Sequence, residues 1–337
     1  MHSNISIFVP HVGCPHMCAF CNQRTITGTE SIPHAADVKR TCSQAMEQIK
    51  EPQNTQIAFF GGSFTAVPRE YMTELLEAAQ EFIGDGKFSG IRISTRPDYI
   101  DDEILSLLKK YNVRSIELGA QSMCDEVLQA NERGHSAQDV ADAARLIKKY
   151  GFELGLQMMI GLYKSSEERE RESFEKICAL RPDTLRIYPV VILEGTALGE
   201  LYKKGEYKPF SFDTAVKLCG QFLEESQQLG IRVIKLGLHA SEFVEDQALG
   251  GFYHPAFREL CESEIYFGRI VSAMKENGKT SAVISVPSRN LSKALGQKKS
   301  NLKRFEDMGL NVKIVADKAQ SEDVYLKMIE DKSDIRK

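Results

Sequence analysis

Cys14, Cys18 and Cys21 stand close together near the start of the chain, spaced C-x3-C-x2-C, with Phe20 just before the last of them. Three thiolates can ligate three irons of a cubane [4Fe–4S] cluster and leave the fourth iron open, where a small molecule can bind and be reduced. Most iron–sulfur electron carriers close all four positions with cysteine, so a compact triad without a fourth thiol nearby points to a catalytic cluster. The alternative is a zinc knot with His11 or His16 as fourth ligand. Zinc sites of that kind usually pair C-x2-C with a second, distant pair, and that second pair is missing here.

Such thiols need a scaffold, and the pattern of the chain supplies one. Short apolar runs read as strands at Ile5–Val9, Gln56–Phe60, Ile91–Thr95, Ser115–Gly119, Leu154–Met159 and Thr184–Pro189, with a weaker seventh at Ile231–Leu236. Between them, longer periodic stretches read as helices at Ala36–Lys50, Arg69–Ile83, Asp101–Tyr111, Ala137–Tyr150, Glu167–Leu180 and Asp213–Leu229. Ser136 is placed to cap the fourth of these helices, and Gly151 and Gly230 to close two of them. Alternation of this kind implies a parallel sheet covered by helices. Six βα repeats are too few for a closed barrel, so the expected fold class is α/β, a partial (β/α)6 TIM-like barrel. In parallel barrels the site forms at the C-terminal ends of the strands. The cysteine triad follows the first strand directly.

Other polar or glycine-rich segments fall at later strand ends. Gly61-Gly62-Ser63-Phe64 follows the second strand, and paired glycines let backbone groups approach a ligand closely. The third strand ends in Ser94-Thr95-Arg96-Pro97-Asp98 and the fourth in Glu117-Leu118-Gly119-Ala120-Gln121-Ser122, which suits a nucleoside pocket, ordinary loop capping being the alternative. Arg133, within Asn131-Glu132-Arg133-Gly134-His135, could hold a carboxylate through a bidentate pair.

The run Cys14-Pro15-His16-Met17-Cys18-Ala19-Phe20-Cys21 resembles the signature of the radical S-adenosylmethionine (radical SAM) superfamily. The resemblance implies two cofactors, a [4Fe–4S] cluster and S-adenosyl-L-methionine (SAM) chelated to its open iron. One electron then cleaves SAM to methionine and a 5′-deoxyadenosyl radical, and an external donor such as flavodoxin or ferredoxin supplies it. Glu117–Ser122 with Asn131–His135, Leu156–Leu162, and Leu185–Pro189 with Glu194–Thr196 are similar to the radical SAM domain of the Elongator catalytic subunit and its prokaryotic relatives. More distantly, they resemble oxygen-independent coproporphyrinogen oxidase. The resemblance assigns Gly61, Gly62, Ser63, Gln121, Arg133 and Gln157 to SAM and Cys14, Cys18 and Cys21 to the cluster, and Thr95 joins the SAM set by its place at the end of the third strand. Gln157 departs from the ionisable or imidazole side chain of those relatives. The Elongator subunit continues into an acetyltransferase domain with no counterpart in this sequence, and the region after Ile231 lacks its arginine-rich strand. A relative with its own substrate is therefore expected.

The chain changes character after residue 240, giving an expected radical SAM domain over 1–240 and a small α/β C-terminal domain over 241–337. In the latter a helix at Pro255–Asn277, a strand at Ala282–Val286, a helix pair around Gly296, a strand at Asn311–Val315 and a last helix at Glu322–Ile329 are expected. From Pro287 to Lys313 there are seven basic residues against two acidic ones, a local phosphate-binding candidate that includes Lys293, Lys298, Lys299, Lys303 and Arg304. Leu295-Gly296-Gln297-Lys298-Lys299-Ser300-Asn301 resembles the G-x-x-G loop of a KH domain, which clamps nucleic-acid backbone, with Lys299 where the second glycine would stand. A plain α/β cap with a solvated basic face is the alternative.

At 337 residues and a formal charge of −4, the chain is not coated uniformly in basic residues. It has no run of about 20 apolar residues and no signal-peptide pattern, so no membrane partner and a cytoplasmic location are expected. The five cysteines outside the triad are scattered singly, as reduced thiols would be. The favoured function is a radical SAM enzyme acting on an RNA base, in tRNA. The alternatives are a radical SAM enzyme on a small molecule such as a tetrapyrrole, and a non-catalytic RNA-binding or metal-binding regulatory protein. His239, His254, Tyr163, Lys164 and Tyr188 are further polar candidates that no spacing argument selects.

Overall fold

The computed structural model describes residues 3–9, 12, 14, 17–22, 31–238, 242–318 and 326–329. Contacts divide the chain into two compact units, Met1–Phe210 with Ser226–Tyr253, and Ser211–Glu225 with His254–Lys337.

The strands of the first unit are β1 (Ser3–Val9), β2 (Thr55–Gly61), β3 (Gly90–Thr95), β4 (Val113–Gln121), β5 (Glu153–Ile160), β6 (Thr184–Pro189), β7 (Val191–Leu193), β8 (Arg232–Leu236) and β9 (Ala248–Gly251). Seven of them form one parallel sheet in the order β1-β2-β3-β4-β5-β6-β8, while β7 and β9 pair separately and antiparallel. The weaker seventh strand is thus a full member, pairing in parallel with β6. Helices α1 (Ala35–Gln48), α2 (Arg69–Gln80), α3 (Asp102–Lys110), α4 (Asp125–Ala130), α5 (Ala137–Lys149), α6 (Glu167–Ala179) and α7 (Ala197–Lys203) fall between the strands. Local chemistry sets their starts: Asp101 Oδ1 accepts the Ile104 N–H, and Ser136 and Asp139 form a reciprocal capping box.

The two faces of the sheet differ in chemistry. Ile57, Phe59, Ile91, Ile93, Ile116, Leu118, Leu154, Leu156, Leu185 and Ile187 are all buried and alternate with the polar positions of the same strands. On the other face, Arg92 Nε donates to Gln56 Oε1 at 2.8 Å, Arg92 Nη1 to Glu117 Oε1 at 2.9 Å and Arg92 Nη2 to Glu153 Oε1 at 3.0 Å. Arg186 Nε and Nη2 then clasp the two oxygens of Glu117 at 2.6 and 3.0 Å. The Arg186 guanidinium also lies 4.9 Å from the centroid of the Phe60 ring. β2 and β6 are four places apart in the sheet, about 19 Å if it were flat, so the sheet must curl with this charged face inside. The fold is a half-barrel with a polar interior and an apolar, helix-covered exterior.

The turn after β5 is pinned from inside. Glu170, only 1% exposed, accepts the Gly161 N–H at 2.7 Å, and the Tyr207 hydroxyl donates to the Gly161 carbonyl. Gly161 sits at φ +84°, and a Cβ there would lie 2.4 Å from the Phe252 ring. Burial pushes the Glu170 carboxyl from 4.5 to about 7, while the Gly161 amide pulls the other way. A carboxyl raised on folding binds its proton more tightly in the native state, so its stabilisation is complete below the unfolded value and is lost as pH rises through about 7. Glu170→Gln keeps the amide acceptor without the charge. Measured by urea unfolding, the wild type is expected to lose up to about 3 kcal/mol relative to Glu170→Gln between pH 5 and pH 8; parallel pH profiles would contradict the assignment.

The second unit contains most of α8 (Phe212–Gln228) and, beyond the short helix α9 (Glu242–Gln247) of the first unit, α10 (Phe257–Glu276), β10 (Ser281–Pro287), α11 (Leu291–Leu295), α12 (Ser300–Asp307), β11 (Asn311–Asp317) and β12 (Lys327–Ile329). Tyr266, Ile270, Ile284, Val286 and Phe305 centre its core. The expected helix Glu322–Ile329 is corrected: residues 327–329 form a strand antiparallel to β10, and 322–325 lie outside the described residues. Leu326 and Met328 both pack on the core, a period of two in a segment too short to show 3.6.

Candidate functional site

The cysteine loop leaves β1 and is fastened to the barrel by its backbone. The Ala19 N–H donates to Asn131 O at 3.1 Å and the Leu198 N–H to Ala19 O at 2.7 Å, while within the loop the Cys21 N–H donates to Cys18 O at 3.0 Å. Ala19 and Phe20 are buried, Cys14 is exposed, and Cys18 and Cys21 are half-buried. The Cys14 thiol lies above its ordinary range. Desolvation by the surrounding protein is the largest cause; the Ser63 amide and the Arg133 and Arg96 charges draw it back.

Gly61 and Gly62 meet this loop directly, the Gly62 N–H donating to Val9 O at 2.8 Å. A Cβ on Gly62 would lie 2.5 Å from Val12 O and 2.9 Å from Val9 O, and Gly61 holds φ +111°. The glycines are therefore required by the close approach of the loop itself, a reason the sequence alone did not supply. Beside them, Ser63 Oγ and Thr95 Oγ1 share a hydrogen bond of 3.0 Å, and Ser63 Oγ also accepts the Arg96 N–H at 3.1 Å. These hydroxyls tie the end of β2 to the end of β3. Arg96 is buried in a bidentate pair with Asp98, at 2.9 Å on both arms.

At the end of β4 the pairing with β5 shifts register between Gly119 and Gln121, and Gln121 adopts φ +64°. Its Oε1 is buried without a hydrogen-bond partner. Two residues of the Asn131–His135 segment hold the preceding carbonyls: Arg133 Nη2 donates to Gly119 O at 2.7 Å, and His135 Nε2 lies 3.3 Å from Ala120 O. Burial, with the charge of Arg133 next, lowers His135 to about 4, so the ring is neutral and serves as an anchor. Arg133 Nη1 donates to Cys18 Sγ at 3.1 Å. The Gln157 amide donates to Glu117 Oε2 at 2.9 Å and Ser94 Oγ at 3.3 Å, which joins it to the barrel interior.

One cavity is lined by Cys14, Cys18 and Cys21 together with Gly61, Gly62, Ser63, Thr95, Gln121, Arg133 and Gln157. The ten positions singled out in the first unit thus converge, from the ends of β2, β3 and β4, the middle of β5 and two loops. Among the described residues, no three His, Cys, Asp or Glu side chains converge as ligands of a single ion would. Thiols on three corners of a cube stand farther apart than ligands of one ion, and His11 and His16 of the zinc alternative lie outside the described residues. Three features fit an anionic cluster carrying a polar ligand. The donor set is three thiols, the Gln121 acceptor is orphaned, and Arg133 is a buried cation with no carboxylate partner among the described residues.

Reading the sequence missed the charged interior, Arg92, Glu117, Glu153 and Arg186, and the Glu170 anchor. Glu117, read as part of a polar strand end, is instead 1% exposed at the centre of the interior network. His254 accepts the Ala256 N–H at 3.0 Å, a structural bond, and His239 lies outside the described residues. Tyr163 packs edge-on against Tyr207. In the second unit, Lys293 pairs with Glu262 at 2.8 Å, and Arg304 clasps Glu264 while stacking 3.5 Å from the Phe267 centroid. Lys298, Lys299 and Lys303 are exposed. Lys298 and Lys299 adopt φ +51° and +62°, the left-handed region that the missing glycine would favour.

The profile of the Radical SAM superfamily matches residues 8–177, and that of the Radical_SAM C-terminal domain matches residues 182–266. A protein of Methanocaldococcus infernus named tRNA uridine(34) acetyltransferase is 30% identical over 196 residues, covering 52% of this chain and 37% of its own length. Human Elongator complex protein 3 is 29% identical over 259 residues, covering 64% of this chain and 47% of its own. The chain thus spans less than half the length of either relative. Among solved structures, archaeal Elp3 from M. infernus superposes with a TM-score of 0.63 at 21% identity, covering 82% of this chain and 63% of that one. A second, anSMEcpe with AdoMet and the Cp18Cys peptide bound, gives 0.52 at 15% identity, covering 79% of this chain and 80% of its own. These two show the shared fold.

Proposed function

Because the chain belongs to the radical SAM superfamily, and is an enzyme of that class, we propose that Cys14, Cys18 and Cys21 hold a [4Fe–4S] cluster and that the cavity beside them binds SAM for a reaction on an RNA base, in tRNA. The observation that carries this reading is that the three thiols line one cavity with Arg133, a buried cation with no carboxylate partner among the described residues. An uncompensated guanidinium in a protein interior is costly, and an anionic cluster with a carboxylate ligand is the partner it lacks. When bound, the reduced cluster supplies the electron that splits SAM into methionine and a 5′-deoxyadenosyl radical.

The residues of the cavity divide the work of binding. Gly61 and Gly62 present backbone to the methionyl amino group, and Arg133 sets a positive charge beside the carboxylate while two of its N–H groups are engaged elsewhere. Gln121 offers its free Oε1 to the nucleoside portion. Ser63 and Thr95 brace the strand ends behind it, and Gln157 links the cavity to the charged interior. Enclosure by the curled sheet keeps water from a reactive radical. The reading carries with it a reducing, cytoplasmic location and an external donor of the flavodoxin or ferredoxin kind; the eight cysteines, all free thiols, suit such a setting. No helix among the described residues is long and apolar enough to cross a membrane.

Two observations support RNA as substrate. The relatives above carry names that refer to tRNA uridine and to Elongator, and the second unit exposes Lys298, Lys299 and Lys303 with no ion-pair partner among the described residues. Lys293 and Arg304 are engaged in ion pairs and contribute less. Lys298→Glu with Lys299→Glu is expected to weaken tRNA binding about tenfold and flatten its salt dependence, since both scale with phosphate contacts. Mass spectrometry of nucleosides from cells with and without the protein tests the whole reading. Loss of one modified nucleoside is expected; an unchanged profile with no tRNA binding would turn the reading to a small-molecule substrate.

A further inference from the structure

We propose that Arg133 sets how readily the cluster accepts its electron, by donating Nη1–H to the Cys18 sulfur; this rests on the reading that the three thiols carry a cluster. Arg133 is 7% exposed and its Nη1 lies 3.1 Å from Cys18 Sγ. Burial limits the screening of its charge. Arg96, the other buried arginine of the cavity, is neutralised by both oxygens of Asp98. Arg133 has no such partner among the described residues, and its Nε makes no hydrogen bond. Reduction adds one electron, supplied by an external one-electron reductant, and transfers no atom. A fixed cation bonded to a ligating sulfur stabilises the more negative state and so raises the potential.

The geometry holds that contact in place from behind. Nη2 is anchored 2.7 Å from Gly119 O at the register shift of β4. Glycine at position 119 leaves room for this seat, since a Cβ there would lie 2.9 Å from Gln121 Nε2 and 3.3 Å from Arg133 Nη2 and would crowd both side-chain ends. The Asn131–His135 segment that carries Arg133 also receives the cysteine loop, through Ala19 N–H to Asn131 O. Arg133 is thus a positioning and tuning residue for the cluster, distinct from a clamp on the SAM carboxylate alone.

The test is a potentiometric EPR titration of reconstituted protein without SAM, comparing wild type with Arg133→Gln, Arg133→Lys and Gly119→Ala. Arg133→Gln is expected to be about tenfold harder to reduce, a midpoint lower by about 59 mV for a one-electron couple. Arg133→Lys, which keeps the charge without the fork, is expected between the two, and Gly119→Ala, which crowds the seat, shifts the same way. Midpoints equal to wild type in these variants overturn the proposal, even if SAM then binds more weakly. If Arg133→Gln assembles no cluster, the lysine and Gly119 variants decide on the same criterion. A wild type that assembles no cluster instead refutes the reading beneath it.

Discussion

A Cys18→Ala protein prepared without oxygen is expected to be colourless and to form no 5′-deoxyadenosine, a complete loss rather than a slower reaction. The triad has no reserve among the described residues. None of Cys42, Cys124, Cys178, Cys219 and Cys261 lines the cavity, and burial pushes the Cys42 thiol up to about 12, where it stays protonated and a poor ligand. Cys18 is also the thiol that meets Arg133, so its loss leaves that guanidinium with neither sulfur nor cluster. Cys42→Ala is the matching control and is expected to keep full iron content. Iron and acid-labile sulfide analysis with visible absorption reads both variants. A coloured Cys18→Ala protein that still cleaves SAM would remove the triad from the chemistry.

Glu117→Ala is expected to destabilise the fold by about 3–5 kcal/mol, because breaking a buried ion pair from one side leaves the opposite charges uncompensated. Glu117 is 1% exposed and accepts from Arg92, from Arg186 on both oxygens, and from Gln157. Arg92 itself is 1% exposed and would keep only Gln56 and Glu153. Against a total stability of about 5–15 kcal/mol, such a loss is a large share. Glu117→Gln, which keeps an acceptor oxygen without the charge, is expected to fall between. Urea unfolding of the cluster-free protein measures both. A change below about 1 kcal/mol for the alanine variant would mean that the network contributes little to stability.

The contrast between these two sites explains how far the sequence could be read. The triad, the glycine pair and the Asn131–His135 segment are contiguous motifs at strand ends, so spacing along the chain preserves the geometry that matters. The seven strands were legible for a related reason: their buried faces repeat Ile, Leu, Val and Phe at every second position. The interior network was not legible. Gln56, Arg92, Glu117, Glu153 and Arg186 come from five different strands, scattered singly among mostly apolar positions, and only the parallel register and the curl of the sheet bring them within reach. Arg133 shows the same limit at the site itself. Its place in the cavity followed from the motif, whereas its bonds to Cys18 and Gly119 depend on the loop and on the register shift of β4. The end of the chain failed differently, since three residues of β12 cannot display a period long enough to separate strand from helix.

The most direct measurement is reductive cleavage of SAM by the wild-type protein, reconstituted anaerobically with iron and sulfide and then supplied with dithionite. A brown protein containing about four irons that releases 5′-deoxyadenosine and methionine in equal amounts is the expected result. A protein that stays colourless and iron-poor, or that binds a cluster and leaves SAM intact, would contradict it.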